Sequence, residues 1–174
     1  MSSRFPDFVD PWRMADQEKT FSGRVAIADL PRLSKGVLGA QGEVELELIF
    51  GHDREKRAYI QGFVKADLIL ECQRCLRPMD APLMSQLNIA LVKGLAEAER
   101  LPEYYDPLLL NEPRIRLLDV VEDELLLSLP QVPIHAAGEC NPESYQALAQ
   151  DGAGQGELTA GSSPFAVLAE LKQK

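Results

Sequence analysis

The chain has 174 residues, of which 45% are hydrophobic and 26% charged, and it carries a formal net charge of −9. This composition is ordinary for a globular protein, and the length suits one domain with appended segments. No stretch approaches the ~20 consecutive apolar residues that cross a bilayer. Residues 1–12 lack the apolar core of a signal peptide, so we expect a cytoplasmic protein. The acidic balance argues against RNA binding over a broad surface, because phosphate contacts require lysine and arginine.

Charge is distributed unevenly along the chain. Residues 54–77 contain six basic and three acidic side chains, a net of +3, whereas residues 97–127 contain nine acidic and three basic ones, a net of −6. The first segment could form one local basic patch. Both segments are also compatible with the solvated faces of a soluble protein.

The first predicted elements are short. Residues 11–18 are compatible with a short helix, and residues 24–28 have strand character before Pro31 ends them. Residues 43–48 alternate strictly between glutamate and aliphatic side chains, which is typical of a strand with one buried face. A polar turn at residues 51–53 follows, and we expect His52 to be a turn residue rather than a catalytic base.

A second long strand is predicted from Arg57 to Glu71, and the turn before it makes the pair an antiparallel hairpin. Residues 82–92 predict a further strand, residues 93–106 an acidic loop, and residues 108–110 a short strand. The apolar positions of the second strand share one phase: Ile60, Val64, Ala66, Leu68 and Leu70.

The period changes to that of a helix over residues 115–129, which Pro130 ends. Its apolar stripe includes Val121 and Leu125, and Glu122 lies beside that stripe. An unpaired buried carboxylate is costly, so Glu122 either lies at the edge of the stripe, pairs with an arginine, or anchors a basic group of a partner protein.

The C-terminal part is rich in small and polar residues. Residues 141–162 are predicted to be a flexible linker, because they cannot bury enough apolar surface to offset the entropy of ordering. Residues 163–174 predict a short amphipathic helix, in which Phe165 and Leu168 form the apolar stripe. This helix either packs on its own domain or binds a partner.

These elements together predict an α+β fold. Residues 1–140 form a small antiparallel β-rich platform of about five strands with one main helix near residues 115–129. The linker then tethers the short C-terminal helix.

Cys72 and Cys75 form a C-x2-C pair at the end of the second long strand, and His135 and Cys140 follow as H-x4-C. Two such pairs can complete a tetrahedral zinc site, in which four protein ligands make the metal structural. Reduced cysteines without a metal and a redox pair remain alternatives. The redox interpretation is the weakest, because a low-pKa C-x2-C pair usually begins a helix. The sequence contains no G-x-S-x-G, phosphate-binding glycine loop or H-E-x-x-H.

Several motifs along the chain occur in a distinctive order. They are Asp10-Pro11 with Arg13 and Ala15, residues 71–75, Leu101–Glu103 with Tyr105, Val121–Glu124, Leu129-Pro130 with Val132, Pro133 and His135, and residues 163–172. In this order they resemble the YceD-like family of bacterial large ribosomal RNA accumulation proteins, and the resemblance covers nearly the whole chain. Many relatives carry extra cysteines in the loop that holds His135 and Cys140, whereas this chain has one cysteine there.

The resemblance implies a non-enzymatic factor for the synthesis, processing or stability of 23S ribosomal RNA and for assembly of the large subunit. We expect it to bind pre-ribosomal RNA or a large-subunit ribosomal protein, and neither a membrane nor a small-molecule substrate. Candidate contact residues are Arg74, Arg77, Glu122, Asp123, Phe165 and Leu168. The alternative is a zinc- or thiol-dependent enzyme, or a redox protein, that uses Cys72 and Cys75.

Overall fold

The computed structural model describes residues 5–140. The strands in this range are β1 (Phe8–Val9), β2 (Thr20–Ala26), β3 (Glu43–His52), β4 (Ala58–Glu71), β5 (Pro78–Val92), β6 (Asp106–Leu109) and β7 (Ile115–Arg116). The helices are α1 (Pro11–Asp16), α2 (Leu33–Gly36), α3 (Leu95–Ala98) and α4 (Leu117–Ser128), and Ile27–Asp29 form one turn of 3-10 helix. The fold is α+β, as the sequence predicts.

The predicted hairpin is confirmed, because β3 and β4 pair antiparallel. Their apolar residues face the same side of the sheet, since the pairing aligns Leu46 with Val64 and Phe50 with Ile60. The turn begins two residues later than the sequence suggests. Asp53 closes it by accepting hydrogen bonds from backbone N–H groups, and His52 is the last residue of β3.

Gly62 allows β3 and β4 to approach closely in the middle of this hairpin. A Cβ atom at this position would lie 1.8 Å from the carbonyl oxygen of Glu47, and the φ angle of Gly62 is +153°. No side chain fits there unless the strands move apart, so glycine is required by the packing of the two backbones.

The main sheet has five strands in the order β2-β3-β4-β5-β6. It is mixed rather than wholly antiparallel, because β6 runs parallel to β5. A parallel neighbour requires a crossover of about a dozen residues. Residues 93–105 form that crossover and include α3, whereas residues 93–106 were predicted to be an acidic loop. One face of the sheet carries the core, and the other exposes charged residues such as Glu45 and Lys65.

Helix α4 covers the core face of the sheet. Its buried apolar residues are Leu117, Val120, Val121 and Leu125, which follow the helical period. The helix begins two residues later than predicted, at Leu117, because Ile115 and Arg116 form β7 and pair with β1. The pairing of these two short strands attaches the N-terminal segment of the described chain to the start of α4.

The predicted N-terminal helix is confirmed as α1. Asp10 caps it by accepting a hydrogen bond from the backbone N–H of Arg13 at 3.1 Å, and Pro11 occupies the first turn.

No helix within residues 5–140 is long and apolar enough to span a membrane. Contacts between residues divide the chain into two units after His135, and all the elements above belong to the first. Of the second unit, residues 136–140 are described, and they form a turn.

Candidate functional site

The C-x2-C pair lies in a tight turn between β4 and β5. The backbone N–H of Leu76 donates to the carbonyl of Cys72 at 2.8 Å, and the N–H of Cys72 donates to the carbonyl of Arg77 at 2.9 Å. Leu76 has a φ angle of +56°, which lets the chain reverse within a few residues. The turn therefore holds the side chains of Cys72 and Cys75 together, and both are buried.

The loop after α4 packs on this turn through three hydrogen bonds. The backbone N–H of Gln73 donates to the carbonyl of Pro133 at 2.8 Å, and the Arg74 guanidinium donates to the carbonyl of His135 at 2.8 Å. The N–H of His135 points to the sulfur of Cys72 at 3.4 Å. These contacts place the His135 side chain beside the cysteine pair, although about sixty residues separate them in the sequence.

The four predicted metal ligands lie together. One ligand atom from each of Cys72, Cys75, His135 and Cys140 lies within 4.8 Å of the others. The sulfur of Cys75 is 3.4 Å from Nδ1 of His135. Ligand atoms around a tetrahedral zinc ion are roughly 3.3–3.8 Å apart, given Zn–S and Zn–N bonds of about 2.3 and 2.0 Å. The donor set and its spacing thus fit a zinc ion after small side-chain movements.

Cys72 is poised to act as a thiolate. Burial by itself raises the pKa of this thiol, but backbone N–H groups of His135, Cys75 and Arg74 point to the sulfur and stabilise its negative charge. Together with the His135 side chain, they lower the pKa of Cys72 from 9.0 to about 5. A thiolate is the form that binds metal, so the turn supports the ligand chemistry that the sequence suggests.

This arrangement is better suited to structural than to catalytic metal chemistry. Four protein ligands fill a tetrahedral zinc site and leave no position for a water molecule or substrate. The turn also follows a strand, so Cys72 and Cys75 are not at a helix N-terminus. Their burial limits access for a reaction partner.

The two arginines of the turn have different environments. Arg74 is partly buried and holds His135 in place, whereas Arg77 is exposed. The other basic residues of segment 54–77 lie elsewhere, and Arg57 pairs with Asp53 at 2.7 Å in the β3–β4 turn. Because β4 has 14 residues, its ends are roughly 40 Å apart. The basic residues therefore lie at the two ends of β4, with Lys65 alone in its middle, rather than in one patch.

Glu122 is buried in α4 with a relative exposure of 1%, and its partner is Arg32. One carboxylate oxygen accepts from the backbone N–H groups of Arg32 at 2.6 Å and Leu33 at 3.0 Å, and the other accepts from Nε of Arg32 at 2.8 Å. This arginine pair is one of the three predicted alternatives, and the burial of Glu122 excludes a position at the exposed edge of the stripe. A role of Glu122 in binding a partner stays a prediction.

Asp123 is exposed at the next position and also contacts Arg32, at 2.5 Å. Asp123 lines a depression beside α4, whereas Arg74 contacts the loop at His135. Phe165 and Leu168 lie outside the described residues, so their predicted role stays a prediction.

The sequence did not identify Arg32, which lies 90 residues before Glu122. The position of Glu122 beside an apolar stripe indicated that a cation was needed, but no local pattern indicated which one. The hydrogen bond from Gln73 to the Pro133 carbonyl could not be predicted from the sequence either, because every residue has a backbone carbonyl.

Comparisons with known proteins agree along the chain. The family model described as "Large ribosomal RNA subunit accumulation protein YceD" matches residues 60–172. A protein of that name from Haemophilus influenzae is 36% identical over 172 residues, which cover 98% of each chain. No solved structure matches. The match is collinear over nearly the full length and includes the turn that carries Cys72 and Cys75. The chain therefore belongs to the YceD family of large ribosomal RNA subunit accumulation proteins.

Proposed function

We propose that this protein is a non-enzymatic cytoplasmic factor that supports the synthesis, processing or stability of 23S ribosomal RNA during assembly of the large subunit. The observation that carries this proposal is the match to a relative named for large ribosomal RNA subunit accumulation, which extends over 98% of both chains. Its action is docking to pre-ribosomal RNA or to a large-subunit ribosomal protein. The acidic overall charge favours contact through a protein or through a small basic site.

The metal site has a supporting role in this proposal. Zinc held by Cys72, Cys75, His135 and Cys140 would fix the turn between β4 and β5 to the loop after α4. Cys72 supplies a thiolate, and Arg74 holds the backbone of His135 in position. The result would be a rigid projection at one end of the sheet.

Arg77 is the residue of this projection that is best placed to contact RNA or a partner protein. It is exposed and follows the turn directly, beside Leu76, whose side chain is 57% exposed. Arg74 contributes to the same surface, but it also carries the hydrogen bond to His135. Substitution of Arg74 would therefore disturb the loop as well as the surface charge.

The proposal is tested by sedimentation of the full chain with large-subunit precursor particles from cell extracts. Wild type is expected to migrate with these particles, and Arg77→Glu is expected to release it into the soluble fractions. Arg54→Glu is the matched control, because Arg54 is an exposed arginine in the turn at the other end of β4. Absence of wild type from all precursor fractions would overturn the proposed function. Release by both variants alike would remove the role of Arg77.

The second candidate is a thiol- or zinc-dependent enzyme or redox protein, which the low pKa of Cys72 favours. It is tested by alkylation of the native chain with iodoacetamide and by metal analysis of the same sample. Rapid modification of Cys72 in the metal-loaded protein would support the enzyme. Slow modification that becomes rapid after chelation would support a structural metal.

A further inference from the structure

A groove runs along the outer side of α4, at the end of the sheet where β6 lies. Its larger part has a volume of about 850 Å³ and lies between α4 and the strands β5 and β6. A second depression of about 400 Å³ continues it towards β1 and β7. The two parts share Leu108, Val120 and Asp123, so they form one continuous surface. Helix α4, which forms one side of the groove, has 12 residues and is roughly 18 Å long.

The groove exposes large apolar side chains. Leu127 on α4 is 82% exposed, Phe8 is 62% exposed and Leu109 is 39% exposed. Ile89 and Val120 form a buried apolar floor beneath them. A continuous apolar surface with a polar rim is typical of an interaction site rather than of a solvated face.

The rim of the larger part is acidic. Among the described residues that line it, the charged ones are Asp106, Asp123 and Glu124. The second depression has a mixed rim, because Arg114 and Arg116 line it together with Glu112 and Asp119. Asp123 contacts Arg32, and Glu124 accepts a hydrogen bond from Ser85, so both carboxylates are fixed in position. Asp106 is exposed at the start of β6. This charge would repel the phosphates of RNA, and it would attract lysine and arginine side chains.

We infer that this groove binds a short basic segment of a protein component of the large-subunit precursor, with at least two large apolar side chains seated on Leu127, Leu108 and Val120. This inference rests on the proposed function, because it names the class of partner. The apolar side chains of the segment would supply most of the affinity, as aliphatic and aromatic anchors do at other interfaces. Its basic side chains would pair with the acidic rim of the larger part and set the orientation.

The test uses the full chain with the photo-reactive residue p-benzoylphenylalanine in place of Leu127. The probe is the set of proteins extracted from purified large ribosomal subunits, and a parallel sample contains protein-free 23S ribosomal RNA. The matched control carries the same residue in place of Met84, which is 65% exposed on the opposite face of the sheet. Cross-linked peptides are identified by mass spectrometry.

The expected result is cross-linking from position 127 to one or a few basic, apolar-containing peptides of large-subunit proteins, with at least tenfold lower yield from position 84. Leu127→Glu is expected to weaken binding of the identified protein about tenfold, whereas Met84→Glu leaves it unchanged. The inference is overturned by equal yields from both positions. It is also overturned if position 127 cross-links to RNA, to an acidic peptide, to a second copy or to residues 141–174 of its own chain.

Failure of this inference is distinguishable from failure of the proposed function. If wild type sediments with precursor particles but position 127 gives no specific cross-link, the groove has no such role and the proposed function stands. If wild type does not sediment with them, the proposed function fails, and the cross-linking of extracted proteins still decides the inference about the groove.

Discussion

Arg32 and Glu122 join α2 to α4 through a buried carboxylate, with Nε of Arg32 2.8 Å from the carboxylate oxygen. The same carboxylate also accepts from the two backbone N–H groups at the start of α2, so it caps a helix of four residues that has no side-chain cap of its own. One acidic residue thus satisfies three donors and connects two parts of the fold that are distant in sequence.

We expect Glu122→Gln to destabilise the protein by about 2–3 kcal/mol, because its amide NH2 group would face the Arg32 donor in a buried site. Asp123→Asn is the matched control. Asp123 binds the same arginine, but its side chain is 57% exposed, so its loss should cost less than about 1 kcal/mol. Urea unfolding followed by circular dichroism measures both free energies. Equal effects of the two substitutions would show that burial does not distinguish the two ion pairs.

The Glu122 pair also predicts how stability depends on pH. Burial raises the pKa of Glu122, but hydrogen bonds from Leu33 and Arg32 outweigh it, so the pKa in the folded protein lies below the ordinary value of 4.5. The stabilisation is therefore complete above pH 4.5 and is lost as the pH falls through the folded pKa. The difference in unfolding free energy between wild type and Glu122→Gln should be constant from pH 7 to about pH 5 and should shrink below it. A difference that persists unchanged to pH 3 would contradict this.

The sequence predicted the elements whose signal is local. Residues 43–48 alternate between apolar and charged side chains, and the apolar residues of 60–70 share one phase. These two patterns were sufficient to predict the β3–β4 hairpin, because a short turn brings the second strand back beside the first. The parallel pairing of β6 was not predictable, because a 13-residue connection allows the chain to return in either direction. The cysteine and histidine set followed from spacing and resemblance, and its ligand atoms do lie together. The Arg32 contact and the groove along α4 depend on the tertiary packing of distant segments, which no local period records.

Gly62 provides a test of the packing between β3 and β4. Gly62→Ala should destabilise the protein by more than about 2 kcal/mol, because its Cβ would overlap the carbonyl of Glu47 and force a central strand pair apart. Gly36→Ala is the control, since nothing lies within 4 Å of a Cβ at that position. Thermal unfolding of the two variants should differ by several degrees. Similar melting temperatures would mean that the hairpin accommodates the methyl group by a small shift.

Removal of the metal is expected to loosen the end of the sheet and leave its centre folded. The purified chain should retain about one zinc ion per molecule, and Cys72→Ser should lose it, because this substitution replaces the thiolate that the N–H groups of His135, Cys75 and Arg74 stabilise. His52→Asn is the matched control, because His52 ends β3 outside the ligand set. Mass spectrometry measures the bound zinc, and amide hydrogen exchange measures the loosening of the sheet end.

After chelation, exchange should increase at Gln73 and His135, whose N–H groups form hydrogen bonds between the turn and the loop after α4. Exchange should remain slow in the β3–β4 pair. Zinc retained by Cys72→Ser at the wild-type level would exclude Cys72 as a ligand. Protection unchanged by chelation would show that the hydrogen bonds alone hold the loop on the turn.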